Sequence, residues 1–149
     1  MTTGTKIVPL VSSGTAGPLG VMHLPRLWSK LTLHCAGVLA EGYDSIGPGF
    51  DSLTLNDLGL NKDEVMQFIK TQKPTYPQFE EWVLQKKGGH IDPAVVKKHN
   101  EAILGYNHSG ETAQNMRSAM GVKRNDVSDA VTLNTLDDLH ELYKSVVAG

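Results

Sequence analysis

The chain has 149 residues, 40% hydrophobic and 20% charged, with a formal net charge of −2. A chain of this length buries roughly two thirds of its unfolded surface around one core, and this composition excludes a disordered tail or a membrane span. Fourteen basic residues against sixteen acidic ones give no clustered positive surface for a phosphate backbone, so neither nucleic acid nor a membrane is an expected partner.

Residues 1–22 are rich in Gly, Ser, Thr and Pro and read as an N-terminal arm. Gly14, Gly17 and Gly20 are spaced three apart, which is not the dinucleotide fingerprint, and no strand-turn-helix context surrounds them. The apolar run Ile7 to Val11 is broken by Pro9 and is too short for a signal-peptide core, so the cytoplasm is the expected compartment. The Asn107-His108-Ser109 sequon has no role without secretion.

Residues 23–149 are expected to form a single helical domain. The first helix is predicted from Pro25 to Ala40, with Leu24, Leu27, Trp28, Leu31, Cys35, Val38 and Leu39 along its core side. Cys35 is the sole cysteine, so no intrachain disulfide forms, and its apolar surroundings predict a buried thiol. A glycine-rich loop, Gly42 to Asp51, and a short turn at Leu53 to Leu58 come next.

Asn61 with Glu64, and Thr75 with Gln78, have capping-box spacing and open helices two and three, the latter closed by Gly88. Phe79 and Trp82 fall on the apolar stripe of the third helix and are assigned to the core. Asp92-Pro93 opens a fourth helix that stops at Gly105, residues 111–120 make a fifth, and Asn134 is expected to cap the last. Lys6 to Val11 and Ala130 to Leu133 are the two candidate strands, too short to change the class. The expectation is a mainly α fold, one compact domain of about six helices with an irregular glycine-rich arm.

Charge is unevenly distributed. Residues 1–40 contain Lys6, Arg26 and Lys30 and no acid, a charge of +3, while residues 41–149 carry −5. Arg26, Lys30 and His34 follow at intervals of four and form a stripe that runs on to the neighbourhood of Gly37. Like charges at that spacing repel by a few tenths of a kcal/mol, so a negative group is expected beside them. A structural reading supplies it from Asp44 or Asp51, packed over Gly37 and paired with Arg26 or Lys30.

A functional reading supplies it from a ligand. Arg26 would hold a carboxylate or phosphate bidentately, Lys30 would add a point charge, and His34 or His23 would act as acid or base near neutral pH, with Tyr43, Asp44 and Asp51 completing the pocket. Such a protein is a cofactor-independent small-molecule enzyme or binding protein, and its partner is a small anionic ligand. The alternative is a noncatalytic interaction module that pairs with a second copy of itself, as a homodimer or larger homo-oligomer.

A metal-binding protein ranks third. His90, Asp92 and His99 match no zinc spacing, so no metal ligands are assigned. His99 lies on an apolar helix face and is read as a core or interface histidine, while His108 and His140 are expected to face solvent. A Ser-His-Asp triad has no GxSxG elbow to announce it.

The stretch Gly20-Val21-Met22-His23-Leu24-Pro25-Arg26, continuing to Lys30 and to Gly42-Tyr43-Asp44, resembles a family of small bacterial proteins known only as domain of unknown function 5069. Trp82 and Asn100 fit the same pattern, and the similarity extends from about Pro18 to Leu139. The resemblance implies a bacterial, cytoplasmic, largely helical domain and brings no activity with it.

Overall fold

A computed structural model describes residues 5–148. Among these residues the chain is an all-α domain of seven helices without a strand: α1 (Leu24–Cys35), α2 (Phe50–Leu58), α3 (Lys62–Gln72), α4 (Tyr76–Lys86), α5 (Pro93–Gly105), α6 (Gly110–Met120) and α7 (Ala130–Tyr143), followed by a π-helical turn, Lys144–Ala148. None of the described helices is long and apolar enough to cross a membrane.

Helix α1 buries Leu24, Leu27 and Leu31, as the spacing predicts, but it stops five residues before Ala40. The cause is Gly37, which adopts φ 75°. The amide of Val38 bonds back to Leu33 O and that of Gly37 to His34 O, the two bonds of a Schellman motif, which closes a helix at a left-handed glycine. Cys35 therefore lies on the last turn and is exposed rather than buried. The released segment runs beside the arm: Ile7 N–H donates to Val38 O at 2.7 Å and Ala40 N–H to Ile7 O at 3.1 Å. Lys6 to Val11 thus contributes one isolated bridge, Ile7 to Leu39, and no strand.

The segment expected as a turn at Leu53 to Leu58 belongs instead to α2, which starts after Gly49 and ends at the left-handed Gly59. This is the helix beyond the expected six. At α3 Asn61 accepts from the amides of Asp63 and Glu64, yet the Glu64 carboxylate pairs with Lys86 at 3.0 Å. At α4 Thr75 and Gln78 make both capping-box bonds. The last helix is capped by Asp129, not Asn134, so Ala130 to Leu133 form its first turn and are not a strand. The reason is local, since Asp129 can accept from the Thr132 amide and Asn134 lies within the helix.

The main core is built by α1 to α4, with Leu24, Leu27, Leu31, Leu55, Leu58, Val65, Ile69, Phe79 and Val83 at most 3% exposed. Phe79 is fully buried, whereas Trp82 is partly buried and stacks on Phe68 with ring centres 4.5 Å apart. Ile103, Ala113, Ala130 and Leu133 bury the contacts of α5 to α7. The described part of the arm is stitched into this body. Asn100 Nδ2 donates to Gly20 O at 2.8 Å and its Oδ1 accepts from Met22 N at 3.0 Å, while His99 sits between Asp57 and Met22 O.

Candidate functional site

Two of the three residues of the polar stripe of α1, Arg26 and Lys30, face inward. Arg26 and Lys30 are 7% and 8% exposed, and each meets a carboxylate brought by another helix. Arg26 Nη1 donates to Asp138 Oδ2 at 2.6 Å and Nη2 to Asp138 Oδ1 at 3.1 Å, the two-pronged geometry that suits a guanidinium. The same Nη1 reaches the carbonyls of Pro9 at 3.1 Å and Val11 at 2.7 Å, so this arginine also pins the arm. Tyr43 completes the cluster by donating to Asp138 Oδ1 at 2.9 Å.

Asp51, in the first turn of α2, is the second hub. Its Oδ1 accepts from His23 Nε2 at 2.6 Å, and its Oδ2 accepts from Lys30 Nζ at 2.5 Å and from Gly47 N at 2.8 Å. Burial alone would raise the Asp51 carboxyl, but the His23 hydrogen bond, the Lys30 ammonium and the Gly47 amide together hold it below the usual carboxylate range. His23 caps α1 with φ 72°, a left-handed conformation uncommon outside glycine. Burial pushes its imidazole down, the Asp51 carboxylate opposes that, and Lys30 and Arg26 reinforce it, so the net shift is downward.

The hydrogen-bond partners define the tautomer of a neutral His23. A carboxylate accepts only, so His23 Nε2 carries hydrogen. A neutral imidazole then has a bare Nδ1, and the Ser13 hydroxyl, 3.0 Å away, must be its donor. Ser13 and His23 are each 2% exposed.

These groups line a cavity of about 260 Å³ between α1, the Gly42 to Phe50 loop, the start of α2 and the first half of α7. Of the seven residues singled out from sequence, His23, Arg26, Lys30, Tyr43, Asp44 and Asp51 line this cavity and His34 does not. His34 is exposed on the last turn of α1. Each step of four residues on an α-helix overshoots a full turn by about 40°, so a residue eight positions after Arg26 is rotated well away from it.

Sequence reasoning missed Ser13, Asn134 and Asp137, which also line the cavity, and Asp138, which stands behind Arg26. The arm carried no motif around Ser13, and nothing local in α7 marks Asp138 as the partner of a residue near the opposite end of the chain. The structural reading of Asp51 with Lys30 is the pairing found, although Asp51 sits at the head of α2 and not over Gly37, around which a Cβ would meet no atom within 4 Å.

The two cation–carboxylate pairs neutralise one another, which leaves Asp44 and Asp137 as further acids in the wall. Burial raises the Asp137 carboxyl, and Glu141 and Asp138 raise it further. Burial raises the Tyr43 phenol as well, helped by its bond to Asp138. Among the described residues Lys30 donates to Asp51 alone, so its remaining N–H hydrogens are available to a ligand. No side chain caps the start of α2, and Gly49, Phe50 and Asp51 of that start line the cavity.

Pro48, Gly49, Phe50 and Asn134 also wall an adjoining groove of about 490 Å³ whose far side is Leu53, Ala102 and Tyr106. Among the described residues no group of three or more His, Cys, Asp or Glu side chains is placed to hold a metal ion. His99 is a satisfied core histidine, with Nδ1 2.7 Å from Asp57 and Nε2 2.9 Å from Met22 O. Compared with models of known families and with curated proteins, the chain matches none.

Proposed function

We propose that the cavity between α1, α2 and α7 binds a small molecule carrying a carboxylate or phosphate, with His23 as the acid or base beside it. The observation that carries this reading is that Lys30, with N–H hydrogens to spare, and the uncapped start of α2 share one cavity wall. Both offer N–H donors to the oxygens of a carboxylate or phosphate. Arg26 is committed to Asp138 and the arm, so the anchoring falls chiefly to Lys30. Asp44 and Asp137, lining the same cavity, suit a ligand that also carries hydroxyl or ammonium hydrogens. Its apolar part extends into the groove beside Phe50 and Tyr106.

A thermal-shift screen of hydroxy-carboxylates, amino acids and small phosphates tests this. A ligand at a hundred times its Kd adds about 2.7 kcal/mol to the folded state, and Lys30→Gln should remove that gain when each protein is compared with its own ligand-free midpoint. An equal gain in both proteins would overturn the assignment.

A second reading, self-association, is favoured by the exposed apolar side chains of Leu139, Tyr143, Val146 and Val147, 52%, 52%, 72% and 66% exposed along α7 and the turn after it. Sedimentation of the wild type against Val146→Asp checks it: a dimer that the aspartate dissociates supports self-association, and a monomeric wild type removes it.

A further inference from the structure

Ser13, His23 and Asp51 form a chain of hydrogen bonds in the order hydroxyl, imidazole, carboxylate. From this geometry we propose that Ser13 is a nucleophile and that the cavity carries out acyl transfer from small esters to water. The inference rests on the cavity being a small-molecule site, as proposed above, and not on the charge of what enters it.

The roles follow from who donates to whom. With His23 neutral and its hydrogen on Nε2, Ser13 Oγ–H donates to His23 Nδ1 across 3.0 Å, and His23 Nε2–H donates to Asp51 Oδ1 across 2.6 Å. A serine hydroxyl is a weak nucleophile until an adjacent base removes its proton, and the base works when a third group fixes its tautomer. Such an arrangement is recognised by geometry and roles, not by sequence position; here Nδ1 faces the serine and Nε2 the carboxylate, the reverse of the usual Ser-His-Asp template. Lys30 and the Gly47 amide hold the other oxygen of Asp51, which keeps the carboxylate oriented toward the ring.

A purely structural histidine would satisfy its ring nitrogens just as well. Ser13 differs from a core serine in one respect: it forms part of the cavity wall together with His23 and Asp51.

In the first step Ser13 Oγ bonds to the ester carbonyl carbon as its proton passes to His23 Nδ1. The carbon–oxygen bond to the alcohol breaks, and the alcohol leaves with that proton. The acyl group is then an ester on Ser13. Water attacks the same carbon, gives its proton to Nδ1, and releases the acid as Ser13 Oγ takes the proton back. The carbonyl oxygen is transiently negative, and Lys30 and the uncapped start of α2, which line the same cavity, would supply donors to it.

The test is a fluorophosphonate probe on the full chain, read by intact mass and peptide mapping, together with hydrolysis of 4-nitrophenyl acetate. The expected result is one adduct, on Ser13, with hydrolysis falling about 10²- to 10⁴-fold in His23→Asn and lost in Ser13→Ala. Mapping the adduct on the wild type requires no variant to fold. Failure to label Ser13 overturns the proposal, as does labelling at an equal rate in a folded His23→Asn protein. Carboxylate-dependent stabilisation without an adduct would keep the ligand site and remove the nucleophile; an adduct without such stabilisation would do the reverse.

Discussion

Arg26 and Asp138 stand 112 positions apart in the chain and meet through two parallel hydrogen bonds of 2.6 and 3.1 Å, with both side chains at most 8% exposed. This pair ties α1 to α7, and through the Pro9 and Val11 carbonyls it also ties down the arm. Removing one member leaves the other charge buried and unpaired, which costs about 3–5 kcal/mol, far more than the pair contributes over an apolar substitute. Arg26→Ala should therefore lower the urea-unfolding free energy by about that amount. Tyr43→Phe, which deletes one donor to Asp138, should cost about 1 kcal/mol. A loss below 1 kcal/mol in Arg26→Ala would mean that Asp138 finds another partner or water.

Stability should fall in mild acid because of His23. Its folded pKa lies below the ordinary value of 6.5, so below that pH the unfolded chain binds a proton that the folded chain resists. Stability is then complete above pH 6.5 and lost as pH drops from there toward the folded pKa, at up to about 1.4 kcal/mol per pH unit for one group. Asp51 acts with the same sign in stronger acid, since its folded pKa is also depressed. Urea midpoints between pH 8 and pH 5 should show a steeper decline for the wild type than for His23→Asn, in which asparagine accepts the left-handed backbone. Parallel curves would exclude His23 as the source.

Gly17 should not tolerate a side chain. A Cβ there would lie 2.4 Å from Glu80 Oε2 and 2.7 Å from Tyr76 Cε2, and neither group is free to move. Glu80 is 6% exposed and accepts from Tyr76 Oη at 2.6 Å and from the Leu19 amide. Gly17→Ala is expected to cost about 1–3 kcal/mol, as overpacking does, and to increase amide exchange at Leu19. An unchanged midpoint would show that the arm shifts at no cost.

Gly37 gives a contrasting case. No atom lies within 4 Å of a Cβ built there, yet its φ is 75°. Gly37→Ala should cost about 1–2 kcal/mol from backbone strain alone, and Gly37→Asn less, because asparagine tolerates that region. Chemical denaturation of the two variants checks the order, and equal losses would argue against the conformational cause.

The sequence by itself determined what depends on neighbours along the chain. The apolar period of α1 placed Leu24, Leu27 and Leu31 in the core, and the Thr75–Gln78 spacing located the start of α4, because helix faces and caps are set within a turn or two. Six of the seven candidate residues line the cavity because α1 carries three of them, with His23 as its cap, and the glycine-rich loop that carries Tyr43 and Asp44 leads directly into α2 with Asp51. The same reasoning erred where a local signal had a competitor. Gly37 ended α1 before Ala40, and Asp129 took the cap from Asn134.

Only the tertiary structure decided which way the charged stripe faces. A stripe of Arg26, Lys30 and His34 reads equally well as solvated or buried until its partners are known. Asp138 arrives from α7 and Ser13 from the arm, at separations of 112 and 10 residues from Arg26 and His23. No spacing rule reaches across such loops, since the positions are fixed by how helices pack and not by the chain between them. For the same reason His34, in register on paper, turns away from the cavity that the other residues share.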